Sequence, residues 1–270
     1  MSKIIILAIS NGPSVHDSHR IAQSQTWAKV DTPEIKIRWL KSISNTNLGG
    51  LENRILWLNS SPEFTGILQN SVLGLQWILD NEIFDWVIFT NTSTYFRVNR
   101  LGKLLKKMPT DRPIVAGNLQ PYYPINDRWG GKRTYLQGSG VYINYKAALK
   151  IANLNFSHFG DMPADLALSD YIKMHEIEIR RLPVCNLYIH HMLFSSSQIR
   201  VKSREHPELP ALRMYRIDKI YSARCRLMKI FYWVKFEFSE LRVVSKSPVN
   251  VIKYAIRLIK YFSESIKTKN

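Results

Sequence analysis

Phe84-Asp85-Trp86-Val87-Ile88-Phe89-Thr90-Asn91-Thr92-Ser93-Thr94-Tyr95-Phe96-Arg97-Val98-Asn99-Arg100-Leu101 decides how the rest of the chain is read. Trp86 to Phe89 is a short apolar run that breaks into small polar residues, the pattern of a strand buried on both faces. Val98 to Lys107 then carries helical spacing. A buried strand that ends in hydroxyls and an amide before entering a helix brings those groups to the carboxyl edge of a parallel sheet, where ligands of open α/β sheets lie. The run Thr90 to Thr94 equally suits a capping loop ahead of the helix.

Units of the same kind recur on both sides. Ile4 to Ile9, Ile35 to Leu40, Ile114 to Ala116, Val141 to Ile143 and Ile177 to Leu182 read as further strands. Ser18 to Ala28, Ile67 to Leu79, Tyr145 to Ala152 and Pro163 to Met174 read as helices. Alternation of short strands with helices predicts one α/β domain of Rossmann type with a mostly parallel central sheet, over residues 1–212. The positions to watch are those just after Ile9, Phe89, Ala116 and Ile143. Arg200 to Arg226 loses periodicity and reads as a wrapping loop and linker. Residues 213–270 form a basic, mainly helical tail. Within it, Ser247-Pro248 is a helix start, with Ile252, Ile256 and Ile259 on one side and Lys253, Arg257 and Lys260 on the other.

A chain of 270 residues with 45% hydrophobic content folds, because it can bury one sizeable core. The apolar run after Met1-Ser2-Lys3 is too short for a signal-peptide core with its cleavage site. No stretch reaches the ~18 apolar residues that a spanning helix needs. A cytoplasmic protein, peripheral on the inner face of the cell membrane, is the expectation. Cys185 and Cys225 have no partners in metal-ligand spacing.

Several motifs in order resemble the fringe and β-1,3-galactosyltransferase-type glycosyltransferases of GT-A fold. The stretch from Phe84 is similar to that family's donor strand, an apolar run into Thr-Asp-Asp-Asp, then an aromatic and Arg-Leu. Asn91, Thr92 and Ser93 stand at the three acidic positions. Arg20 and Thr26-Trp27 resemble the Arg and Thr-Trp of the family's first helix, with Ser24 at its second Arg. Gln137-Gly138-Ser139-Gly140-Val141-Tyr142-Ile143 resembles the glycine-bearing strand beneath the acceptor, and Ala164-Asp165-Leu166 the acidic motif beside it. The likeness covers about residues 3 to 190.

The resemblance implies transfer of a sugar from a nucleotide-sugar, a UDP-sugar, to a saccharide hydroxyl with inversion. Ser10, Arg20, Asn91, Thr92 and Ser93 are then expected at the donor, and Gly138, Ser139 and Gly140 at the acceptor. Asp165 is the expected general base, with Asp161 in reserve, since one placed carboxylate suffices to take the acceptor proton. An acid in the first turn of a helix is also favoured by the helix dipole alone. The relatives' carboxylates would hold Mn²⁺, or Mg²⁺, on the diphosphate, but an amide and two hydroxyls are poor replacements. No metal and no other cofactor is therefore expected, and Arg200, Lys202 and Arg213 are the expected diphosphate cations, because guanidinium groups grip phosphate oxygens in pairs. His190 and His191 stand where metal-dependent members of that family carry a histidine ligand; a hydrogen bond from one of them to donor phosphate or sugar, or ordinary partly buried structure, is the role left to the pair.

The formal charge of +17 calls for anionic company. Residues 213–270 hold fourteen Lys and Arg against four Asp and Glu, so ten of those charges lie in the tail. A nucleic-acid-binding protein accounts for the charge but lacks any recognisable module for it, and a glycoside hydrolase needs two facing carboxylates. Basic residues beside an apolar stripe and Phe231, Tyr232 and Trp233 suit an anionic membrane carrying a lipid-linked saccharide acceptor, as in cell-surface polysaccharide or lipopolysaccharide synthesis. With each basic residue near such a surface worth about 1 kcal/mol, liposome binding is expected to need anionic lipid, to weaken with salt and to vanish on deletion of residues 213–270. A protein left in the supernatant at low salt ends that expectation.

Overall fold

The computed structural model describes residues 3–10, 15–43, 50–60, 66–122, 133–160, 162–182, 185–186, 198–200 and 209–222. The chain divides into two units, Met1–Ala211 and Leu212–Asn270. Of the second, only residues 212–222 are described, as part of one helix, so Ser247-Pro248 and the apolar stripe lie outside the described residues.

The first unit contains strands β1 (Ile4–Ile9), β2 (Ile35–Ile43), β3 (Gly50–Glu52), β4 (Ile55–Asn59), β5 (Trp86–Asn91), β6 (Thr94–Phe96), β7 (Ile114–Tyr122), β8 (Arg133–Asn144), β9 (Glu178–Arg181), β10 (Cys185–Asn186) and β11 (Gln198–Arg200). The helices are α1 (Val15–Gln25), α2 (Ile67–Asn81), α3 (Val98–Leu105), α4 (Tyr145–Ile151) and α5 (Ala164–Met174), with α6 (Leu209–Ser222) running across the division between the units.

Eight strands form the central sheet in the order β3-β4-β2-β1-β5-β8-β7-β9. The run β4-β2-β1-β5 is parallel throughout, and β7 and β9 are parallel to each other. Strand β8 is antiparallel to both neighbours, and β3 to β4. This is the α/β architecture expected from the alternating pattern, with a largely parallel sheet. A second, three-stranded sheet joins β10, β11 and β6.

Strand alternation sorts the two faces. Ile5, Leu7, Leu40, Val87 and Phe89 belong to the large core formed with α2, α4 and α5. The intervening Ile4, Ile6, Ala8 and Trp39 turn to the other face, where Trp39 Nε1 donates to Gln23 Oε1 of α1 at 2.9 Å. At the amino edge, Glu82 pairs with Lys36 and Arg38. Burial works to raise the Glu82 pKa, but the hydrogen bonds from Lys36 and Arg38 outweigh it and hold the carboxyl below its ordinary value.

Several elements depart from the sequence reading. Strands β7 and β8 run well past Ala116 and upstream of Val141 as an antiparallel pair, with a register shift between Gly117 and Leu119. Strand β4, not expected at all, lies within the central sheet. Its hairpin to β3 turns on Asn53 and Arg54, both at positive φ, 47° and 68°, as a two-residue turn matching strand twist requires. Arg54 is held there by Ala28 O, 2.6 Å from its Nη2, and by the Trp39 ring below its guanidinium.

Candidate functional site

The carboxyl ends of β1, β2 and β5 lie side by side. Ile9 is level with Leu40 and Asn91, and Ser10 N donates to Leu40 O at 2.9 Å. Ser10, Lys41 and the Asn91–Ser93 turn therefore share one edge of the sheet.

That turn is held tightly from within. Asn91 Oδ1 accepts from Ser93 N at 3.1 Å and Ser93 Oγ at 2.9 Å, and lies 3.0 Å from Thr94 Oγ1, whose single proton it shares with Ser139 O. The Asn side chain thus folds onto its own loop, as short amides do in turns. Thr92 is wholly buried, with its hydroxyl 2.9 Å from His16 Nδ1 and 3.5 Å from His19 Nδ1. Thr92 accordingly positions its surroundings where donor contact was expected of it. A divalent cation on the diphosphate would need hard oxygen ligands at this turn. An amide oxygen already accepting from Ser93 N and Ser93 Oγ, and one buried hydroxyl, do not supply them. Among the described residues no group of three or more His, Cys, Asp or Glu is arranged to hold a metal ion.

Gln23 anchors the turn from below, and sequence reasoning missed it. Fully buried on α1, its Nε2 lies 3.3, 3.1 and 3.2 Å from the carbonyl oxygens of Asn91, Thr92 and Thr94. The signal was present as spacing. His16, His19, Gln23 and Thr26 recur at three, four and three residues along one helical face, and His19, Gln23 and Thr26 are buried. The Thr26-Trp27 pair is architectural: Thr26 Oγ1 donates to Ala22 O at 2.6 Å, and Trp27 packs edge-on against Phe96 with ring centroids 5.1 Å apart. Arg20 Nε is 3.4 Å from Asp17 Oδ1, and Lys41 Nζ 2.6 Å from it. The Lys41 hydrogen bond holds the Asp17 carboxyl below its ordinary pKa, against burial and with help from Arg20.

The acceptor-side motif sits against this turn. Ser139 is buried, and its carbonyl oxygen accepts from Thr90 Oγ1 at 2.7 Å, Thr94 Oγ1 at 3.0 Å and Gln198 Nε2 at 2.6 Å. Beside it, Gly138 N donates to Asp165 Oδ2 at 3.0 Å. The two glycines are explained by close approach. A Cβ on Gly138 would sit 2.5 Å from Asp165 Oδ1, and one on Gly140 would collide with the Gln198 amide. Gln198, on β11, also accepts from the Tyr142 hydroxyl at 2.7 Å. Asp165, in the first turn of α5, is thus held two bonded steps from the Asn91–Ser93 turn, through Gly138-Ser139 and Thr94.

Arg200 stands level with Thr94 in the β11–β6 pairing, which brings its backbone beside the turn. Arg213 lies in α6, buried, and belongs to the second unit. Asp161, Lys202, His190 and His191 lie outside the described residues.

No protein-family model and no curated protein matches this chain. Among solved structures, it is similar to a glycosyltransferase involved in the glycosylation of the major capsid of PBCV-1. The TM-score is 0.51 at 11% identity, covering 79% of this chain and 98% of that one. A putative nucleotide-diphospho-sugar transferase from Desulfovibrio desulfuricans G20 aligns over 68% of this chain and 80% of its own at 10% identity, with a TM-score of 0.40.

Proposed function

We propose that this chain is a glycosyltransferase that moves a sugar from a nucleotide-sugar, of the UDP-sugar class, onto a saccharide hydroxyl with inversion and without a metal ion. It takes its premise from the similarity of fold to the capsid glycosyltransferase, which covers 79% of this chain. The observation that carries the reading is the juxtaposition of Asp165, fixed by Gly138 N, with the Asn91–Ser93 turn at the carboxyl edge of β1, β2 and β5.

In this reading the Asp165 carboxylate takes the proton of the acceptor hydroxyl as its oxygen attacks the anomeric carbon from the face opposite the leaving group. The bond from that carbon to the phosphate oxygen breaks, and its electron pair leaves with the nucleoside diphosphate. Ser10, Asn91 and Ser93 line the donor edge, and on the acceptor side Gly138 and Gly140 let Asp165 and Gln198 approach β8 closely. Arg20, Arg200 and Lys202 are the cations assigned to the diphosphate. The tail is assigned to an anionic membrane on the cytoplasmic side, presenting a lipid-linked saccharide in cell-surface polysaccharide or lipopolysaccharide synthesis. Among the described residues no helix is long and apolar enough to cross a membrane.

A panel of nucleotide-sugars incubated with the full chain tests the reading. Donor consumption that depends on a saccharide acceptor supports transfer. Equal consumption without acceptor points to hydrolysis, and none from any donor removes the reading.

A further inference from the structure

We propose that Asn118 and Gln137, paired across a bulge between β7 and β8, form a recognition site for the hydroxyl groups of the acceptor sugar; this rests on the transferase reading and on the role it gives Asp165. Strand pairing defines the bulge. Leu119 pairs with Leu136 and Gly117 with Val141, so Asn118 alone stands opposite the four residues Gln137 to Gly140. Bulges re-aim side chains and gather beside active sites. This one contains Gly138, whose N–H fixes Asp165, and Ser139, whose carbonyl oxygen is bonded to Thr90 and Thr94 at the Asn91–Ser93 turn.

The side chains within the bulge close only part of their hydrogen bonds. Asn118 Nδ2 donates to Gln137 Oε1 at 3.0 Å, and Ser139 Oγ donates to the same oxygen at 3.1 Å. Asn118 is 6% exposed, Gln137 9% and Ser139 1%. Beyond these contacts, Asn118 Oδ1 and Gln137 Nε2 have no partner among the described residues, and neither atom is sealed from solvent. A buried amide pair that served the fold alone would leave a donor and an acceptor unmet at a cost. Turning both amides over exchanges the two atoms but still leaves one N–H group and one carbonyl oxygen unmet, so the complement does not depend on how the amides are assigned. The fitting ligand accepts and donates at neighbouring atoms, as a sugar hydroxyl does and as neither an ionised phosphate nor an ammonium group can. No charged side chain bonds to the pair, which suits an uncharged partner. A nucleobase edge has the same complement, and position decides between them. Gln137 adjoins Gly138, and the Asp165 held there is the base assigned to the acceptor hydroxyl.

Saturation-transfer NMR titration of the full chain with a panel of methyl glycosides tests the site without turnover. At least one glycoside should bind, and removing a single hydroxyl from it, in a mono-deoxy series, should weaken binding by about tenfold or more. Asn118→Leu or Gln137→Met should weaken the parent glycoside to the same extent and then bind parent and deoxy analogue alike, a loss of discrimination that a merely structural change would not produce. The deoxy series needs only wild type, so it decides even where a variant does not fold. Uridine should leave the glycoside signal in place. In turnover, the same variants should raise the acceptor KM by about tenfold or more with the donor KM unchanged. No glycoside bound by wild type, no deoxy analogue distinguished from its parent, or discrimination that persists in both variants overturns the site. Competition by uridine also overturns it, in favour of a nucleobase site, and so does a rise in donor KM alone, in favour of the donor's sugar. Acceptor-dependent transfer with an unchanged acceptor KM in both variants removes the site and leaves the transferase reading intact. Asn118-dependent glycoside binding in a protein that consumes no nucleotide-sugar keeps the site and removes that reading.

Discussion

Asp165→Asn is expected to lower kcat at least ~10²-fold, the scale of a positioned general base, with donor affinity unchanged. The asparagine amide oxygen can still accept the hydrogen bond from Gly138 N, so the contact that fixes α5 against β8 survives. What is lost is the ability to take a proton. Thermal stability should therefore stay close to wild type while turnover collapses, and steady-state kinetics with donor titration reads the two separately. Near-normal turnover would demote Asp165 to an acid favoured by the positive end of α5. Asp161→Asn, made beside it, should be mild.

Gln23→Leu is expected to be the most destabilising single change at the site, by about 3 kcal/mol or more. The side chain is fully buried and of nearly the same size as leucine, so no large cavity results. Its removal instead takes away the two amide protons shared by the carbonyls of Asn91, Thr92 and Thr94 and the acceptor of the Trp39 indole, all at once. Each buried polar group left unmet costs ~1–3 kcal/mol, and the costs are not fully additive. Chemical denaturation measures the loss. A change below ~1 kcal/mol would mean that water or a repacked neighbour satisfies those groups, and that the turn does not depend on α1.

The parts of the fold that were legible are those whose burial is written locally. Strands β1 and β5 are apolar on both faces because helices cover both, so their runs stand out. Strand β6 is three residues long and exists through pairing with β11, about a hundred residues later, which no local pattern records. Strand β4 escaped because five residues are too few to separate a buried strand from a fragment of helix, and its turn uses Asn53-Arg54 in place of a glycine. At the site, Gly138, Gly140 and Asp165 were singled out by resemblance alone, and the structure sets Asp165 and Gln198 close against the two glycines. Gln23, His16 and His19 were hidden because a polar residue on a helix reads as solvated until the opposing surface is known.

Release of nucleoside diphosphate by the full chain in EDTA, followed across a panel of nucleotide-sugars with and without saccharide acceptor, tests the central claim most directly. The account predicts at least one donor consumed in an acceptor-dependent manner, at a rate that chelation leaves unchanged. Turnover abolished by EDTA and restored by Mn²⁺ would contradict it.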